Sequence, residues 1–167
     1  MKRNYLSYPI LLLFFLTSFI LNAQVTNKSI TGQNFSGEIV INANTSAIWS
    51  ILTSSNDFFE LMNFKYLDGV QKFEKIGDFS RIEDWGEPGV FILTGLKENV
   101  ELRYVLEPEN GSYICSERWS LNQSGTSTTV SFELRYTESG KQTEESIHEQ
   151  VEHYNNLLVR LKRKAEY

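Results

Sequence analysis

Apolar and polar side chains alternate along much of the chain between residues 65 and 136. Near the end of this region Val130, Phe132, Leu134 and Tyr136 are separated by single polar residues. A period of two is typical of strands with one buried and one solvated face, and it predicts an antiparallel sheet. The predicted strands span residues 35–44, 65–74, 78–85, 90–97, 100–107, 112–122 and 126–136.

Three segments have a helical pattern instead. Asn44 or Thr45 can cap a short helix after the first strand, and Asn56 can cap a second one over residues 56–64. The third pattern, over residues 141–164, repeats apolar side chains at spacings of four and three. These side chains are Ile147, Val151, Tyr154, Leu158 and Leu161. Such a stripe needs an apolar surface, and the inner face of a curved sheet can supply it.

The first 23 residues have the layout of a secretory signal peptide. Lys2 and Arg3 precede an apolar run over residues 10–21, and Ala23 is a small residue at a suitable cleavage position. The run is short for a membrane span, which needs about 20 residues, although a retained anchor is the alternative. We therefore expect export to a Gram-negative periplasm or secretion, with no stable membrane span after cleavage and a flexible lead-in over residues 24–34.

Composition and charge narrow the function further. The chain has 167 residues, 41% of them hydrophobic, which fits one globular domain over residues 35–167. Its net charge of −5 argues against a nucleic-acid partner. Cys115 is the only cysteine, so no internal disulfide can form, and we interpret it as a small buried hydrophobe.

No metal or cofactor site is recognisable in the sequence. His148 and His153 lie about 140° apart around a helix, so they cannot hold a metal from one face. His153 is predicted to be solvated, whereas His148 could reach the edge of a pocket. There is no phosphate-binding glycine loop and no nucleophile set, so we expect no cofactor.

The order of strand, two short helices, six strands and long helix resembles the START-like helix-grip superfamily, also called SRPBCC. The clearest likenesses are "GEIVINANTSAIWSILTSSNDFFELM" (37–62), "NVELRYVLEPENG" (99–111) and "SGTSTTVSFELRYTESG" (124–140). The superfamily includes polyketide cyclases and dehydrases, lipid-transport proteins, plant Bet v 1-like proteins and activators of a heat-shock chaperone ATPase. The resemblance implies an α+β fold: a curved, antiparallel, seven-stranded sheet wrapped round the C-terminal helix, with a cavity between them. Many members bind a hydrophobic molecule there, and only some are enzymes.

Combined with the alternation, this fold predicts an aromatic inner wall with a few polar groups. Pockets for small molecules are built in this way, although the same side chains can simply fill a core. The predicted ligand-binding residues are Trp85, Tyr104, Tyr113, Glu117, Trp119, Phe132, Tyr136 and Tyr154.

Glu117 is the candidate catalytic residue. In "ICSERWSLNQ" (114–123) it shares a strand face with Cys115 and Trp119, and a buried carboxylate is costly unless it is paired or protonated. It can pair with Arg81, be solvated at a cavity rim, bind a ligand or act as an acid or base. A shift of one residue in the strand would turn Arg118 inward instead.

Three functions follow from these observations. The leading hypothesis is an exported protein that binds a small hydrophobic or amphipathic molecule, oriented by Tyr104, Tyr113 and Glu117. The second is an enzyme resembling polyketide cyclases and dehydrases, with Glu117 as acid or base. The third is a protein-interaction module whose core is filled.

Overall fold

The structure is a computed structural model that describes residues 24–27, 33–138 and 143–167; the predicted signal peptide lies outside this part of the chain. Eight strands and three helices form the described fold. In chain order they are β1 (Gln24–Asn27), β2 (Gln33–Ile41), α1 (Thr45–Thr53), α2 (Ser55–Met62), β3 (Lys65–Gly69), β4 (Phe79–Asp84), β5 (Glu87–Lys97), β6 (Glu101–Pro108), β7 (Tyr113–Ser124), β8 (Ser127–Glu138) and α3 (Glu144–Glu166).

All strands belong to one antiparallel sheet with the order β1-β2-β8-β7-β6-β5-β4-β3. The seven predicted strands are present as β2 to β8, which confirms the fold class. The sheet also has an edge strand that the sequence did not suggest. Gln24–Asn27, inside the predicted lead-in, pairs with the segment of β2 between Phe35 and Glu38.

Side-chain caps set the boundaries of the two short helices. The Asn44 side chain accepts a hydrogen bond from the Ala47 amide at 2.9 Å and begins α1, as the sequence predicted. The second helix is capped by Ser54 rather than Asn56, because the Ser54 hydroxyl accepts from the Asp57 amide at 3.3 Å. It ends at Met62, and Asn63, with a left-handed φ of 62°, is its C-cap.

The long helix α3 is held by its apolar stripe and by basic side chains. Leu157, Leu158 and Leu161 are fully buried. Arg160 donates to the carbonyl of Leu61 at 2.6 Å, and Lys162 donates to the carbonyl of Val40 at 2.7 Å. These bonds tie the last turns of α3 to α2 and β2, so the positions of the short helices and the long helix are coupled.

Candidate functional site

Most of the residues predicted for the inner wall lie on the inner face of the sheet or on the side of α3 that packs within the fold. Tyr104, Glu117, Trp119 and Phe132 are buried, Tyr154 is 9% exposed, and Tyr113 and Tyr136 are half-buried. In β7 the buried positions alternate as predicted, while Arg118 points outward and binds Glu101 at 2.5 Å. The alternative with Arg118 turned inward is therefore wrong.

Trp85 does not lie on the inner wall, and its predicted placement was wrong. Its side chain is 87% exposed. The strand β4 ends at Asp84, and Trp85 and Gly86 form the turn to β5 with positive φ angles of 52° and 89°. Two positive φ angles are typical of a two-residue hairpin turn, so Trp85 no longer follows the alternation of the strand.

The predicted pairing of Arg81 with Glu117 is also wrong. Arg81 points outward and binds Asp68 and Glu109, each at 3.1 Å. Ser80 and Ile82 are the buried residues of β4. The inner face of this strand is therefore shifted by one residue from the predicted one, and a shift of one exchanges the two faces.

Part of the inner wall is packed against α2 and forms an aromatic core, which we define as Phe58, Phe73, Phe91, Tyr104 and Trp119. Phe58 lies at the centre, with ring centroids 5.5 Å from Phe91, 5.2 Å from Tyr104 and 5.9 Å from Trp119. The Tyr104 hydroxyl donates to the carbonyl of Leu52 at 2.7 Å. Tyr104 therefore has its polar atom satisfied within the fold, and it stabilises the end of α1.

The remaining polar residues of the inner wall form an acid–tyrosine cluster, which we define as Asp84, Tyr113, Glu117, Tyr136 and Tyr154. The Tyr113 hydroxyl donates a hydrogen bond to Asp84, and the Tyr113 ring stacks on Tyr136 with centroids 5.3 Å apart. Glu117 accepts a hydrogen bond from the Trp119 indole at 3.1 Å. Tyr154, on α3, packs against Phe132, with the centroids of the two rings 5.1 Å apart.

The hydrogen bond between Tyr113 and Asp84 spans two strands of the sheet. Tyr113 starts β7 and Asp84 ends β4, so β5 and β6 lie between them. At that end the inner face carries Gly89, paired with Ile82 on one side and Pro108 on the other.

Asp84 is a residue of the site that sequence reasoning missed. The predicted phase of β4 placed it outward. Had the alternation been counted from Ile82, the apolar residue in the middle of the strand, it would have placed Asp84 inward.

The two carboxyl groups of the cluster are electrostatically unfavourable when charged. Burial raises the pKa of Glu117 to about 7; the Trp119 N–H opposes this shift and nearby Asp84 adds to it. Burial also raises the pKa of Asp84, against the effect of the Tyr113 hydrogen bond. The Oδ1 atom of Asp84 is buried without a hydrogen-bond partner. Among the described residues, no lysine, arginine or histidine forms an ion pair with either group.

Other titratable groups nearby differ in their burial. Burial raises the pKa of the Cys115 thiol, so it stays protonated, which agrees with its interpretation as a small buried hydrophobe. His153 is half-buried rather than solvated: its ring lies edge-on to Tyr154 at 5.1 Å, and burial with nearby Arg160 lowers its pKa. His148 is exposed.

A surface depression lies away from the cluster, between α2 and β3. It has a volume of about 440 Å³ and shares no residue with the predicted wall. Its lining is formed by Asn56, Phe59, Glu60, Asn63, Phe64, Lys65 and Tyr66.

Within residues 24–27, 33–138 and 143–167, no group of three or more histidine, cysteine, aspartate or glutamate side chains is arranged to hold a metal ion. In the same part of the chain, no helix combines the length and apolarity needed to cross a membrane.

Solved structures with the same architecture identify the fold of this chain. A solution structure from Arthrobacter aurescens aligns with a TM-score of 0.68 at 11% identity, covering 86% of this chain and 91% of that one. CalU16 from Micromonospora echinospora aligns at 0.59 with 14% identity, covering 86% and 84%. Ara h 8.0201 aligns at 0.59 with 10% identity, covering 81% and 93%. The chain has the helix-grip fold of the START-like proteins. No family model and no curated protein sequence matches it.

Proposed function

We propose that this protein binds a small amphipathic molecule, with its polar end at the acid–tyrosine cluster. One observation carries the proposal: Glu117 is buried near Asp84, no described lysine, arginine or histidine pairs with either carboxyl group, and the buried Oδ1 atom of Asp84 has no donor. Buried polar groups are normally hydrogen-bonded, because desolvation without a partner costs about 1–3 kcal/mol. A ligand that donates hydrogen bonds would remove this cost.

The surrounding side chains suit an amphipathic rather than a fully polar molecule. Tyr113 and Tyr136 present a half-buried stacked pair, and Tyr154 and Phe132 continue the apolar surface toward α3. Aromatic rings give contact area, and the carboxyl groups give orientation, which is the usual division of labour in small-molecule sites.

The second candidate is acid–base catalysis at the same site. A general acid or base works best when its pKa lies near the operating pH, and burial brings the pKa of Glu117 to about 7. An enzyme of the cyclase or dehydrase type would use Glu117 to move a proton, and Tyr113 would hold the substrate.

The third candidate, an interaction module with a filled core, is favoured by the aromatic core. Phe58, Phe91 and Tyr104 are fully buried and pack on one another. This packing removes space from one half of the predicted cavity, but it leaves the acid–tyrosine cluster unexplained.

The first experiment is native mass spectrometry of the full chain, expressed with its own first 23 residues and recovered from the exported fraction. We expect a bound small molecule, whose mass identifies its class, and a protein mass that corresponds to cleavage after Ala23. An unliganded protein with no thermal shift from lipid and aromatic compounds would contradict binding and support the interaction module. A chain retained in the cell would contradict export alone.

Variants then separate binding from catalysis. Glu117→Gln keeps the shape and removes the titrating proton, and Glu107→Gln is the control because it lies exposed on the outer face. A binding protein should lose about 3- to 10-fold in affinity, the equivalent of one hydrogen bond. An enzyme should still bind but lose turnover by a factor of about 100 or more.

A further inference from the structure

The turn between β4 and β5 contains a residue that its own conformation disfavours. Trp85 has a φ of 52°, and bulky side chains rarely adopt this left-handed region. Glycine, asparagine and aspartate are the usual residues at the first position of such a turn. The Trp85 indole is 87% exposed, so burial does not offset the strain. Neither turn geometry nor core packing therefore explains a tryptophan here.

The position of Trp85 links it to the acid–tyrosine cluster. Its neighbour Asp84 points inward and accepts the hydrogen bond from Tyr113, whereas the indole of Trp85 points into solvent. Asp84 and Trp85 are therefore neighbours at the end of the sheet where the acid–tyrosine cluster meets solvent.

Side-chain bonds link the two turns next to Trp85, although the Trp85 side chain takes no part in them. Asn110, in the turn between β6 and β7, donates to Glu87 at 3.0 Å, and Arg81 binds Glu109 in the same turn at 3.1 Å. These bonds hold the two turns together beside the cluster. Among the described residues, Trp85 has no ring contact or hydrogen bond with another side chain.

We propose that Trp85 is a ligand-contact residue whose indole covers the polar head of the molecule bound at Asp84 and Glu117. The inference rests on the proposed function. An indole over the site would exclude water, which strengthens the hydrogen bonds beneath it. The head group that fits is an ammonium, because it donates to both carboxyl groups and binds the face of an indole.

The test compares three probes that share one twelve-carbon tail, each used below its micelle concentration: dodecylamine, dodecanol and dodecanoate. We expect wild-type protein to bind dodecylamine most tightly and dodecanoate least. Trp85→Gly should raise the melting temperature, because glycine fits the turn without strain, yet weaken dodecylamine binding by about tenfold. Trp85→Phe keeps an aromatic ring and should retain affinity within about threefold. The control is Ile76→Ser, which removes another exposed apolar side chain, 64% exposed, beside Gly77.

Tryptophan fluorescence gives a readout that a purely structural role would not change. Iodide quenches exposed tryptophan, and Trp119 is fully buried while Trp49 is half-buried. Most of the quenching should come from Trp85 and disappear in Trp85→Phe. Dodecylamine should protect the wild-type protein from iodide.

The possible failures are distinct. No binding of dodecylamine or dodecanol to wild-type protein would overturn this inference together with the proposed function. Unchanged affinity in Trp85→Gly, or unchanged iodide quenching on binding, would overturn the role of Trp85 alone. Dodecanoate binding as tight as dodecylamine binding would overturn the ammonium head group.

Discussion

The aromatic core and the acid–tyrosine cluster lie on the same inner face of the sheet, but they are built on opposite principles. In the aromatic core the polar atom of Tyr104 has a partner, the carbonyl of Leu52, and the rings fill the space beneath α2. In the cluster, Asp84 Oδ1 has no partner and Glu117 is buried with only an indole N–H.

The aromatic core therefore stabilises the fold, whereas the acid–tyrosine cluster carries the candidate binding and catalytic groups. The aromatic core gains from burial, at roughly 25 cal/mol for each Å² of apolar surface. The cluster places carboxyl groups where their charged forms are disfavoured, which is a cost to folding. Costly groups of this kind mark candidate functional sites, because they are useful only when a ligand or a reaction compensates for them.

The largest expected effect comes from removing the centre of the aromatic core. Phe58→Ala should lower the free energy of unfolding by about 3–5 kcal/mol, because a buried ring is lost and a cavity remains. Urea denaturation measures this. Phe79→Ala is the control, since Phe79 is 50% exposed and lies on the outer face. Equal losses in both variants would remove the distinction between core and surface.

The next largest effect is the change of the free energy of unfolding with pH that the acid–tyrosine cluster produces. The pKa of Glu117 rises from 4.5 to about 7 in the folded protein, so between these values the folded state keeps a proton that the unfolded chain releases. The free energy of unfolding should therefore fall as pH rises from about 4.5 to about 7, by roughly 3 kcal/mol. The raised pKa of Asp84 acts in the same direction.

Urea denaturation of Glu117→Gln across this pH range isolates the contribution of Glu117. The variant should lose most of the fall in stability, and the exposed control Glu107→Gln should keep it. A Glu117→Gln protein with the wild-type pH dependence would show that Glu117 is not buried in the protonated form.

The smallest effects compare two tyrosine hydroxyls. Tyr104→Phe leaves the carbonyl of Leu52, near the end of α1, without its donor and should cost about 1–2 kcal/mol. Tyr113→Phe should cost less than about 1 kcal/mol, because Tyr113 is half-buried and Asp84, whose pKa is raised by burial, can take up a proton when the donor is lost. Thermal denaturation measures both. The reverse order would mean that the cluster is part of the structural core.

Sequence reasoning located the faces of some strands and failed for others for a physical reason. In β7 the apolar residues Cys115, Trp119 and Leu121 share one face and predict that this face is buried. Glu117 lies on the same face and was therefore correctly placed inward. In β4 the inward placement of Trp85 suggested the wrong face. Trp85 lies just beyond the end of the strand, where turn geometry rather than burial decides the direction of a side chain.

Whether the inner wall encloses a cavity or a core could not be predicted either. That outcome depends on how deeply Phe58 and Phe59 of α2 enter the sheet. The sequence predicted both residues as apolar positions of a helix. How far their rings enter the space inside the sheet depends on the packing of α2 against β3 and α3, which the periodicity of the sequence does not encode.

The position of β2 between β1 and β8 has a consequence for the order of folding. Glu38 in β2 reaches Ser131 in β8, 93 residues later, and Ala43 accepts a bond from Thr128 across 85 residues. The first long strand therefore acquires its main neighbour only when the last strand is available. Because such non-local contacts slow folding, a nascent chain should remain incompletely folded until β8 is synthesised.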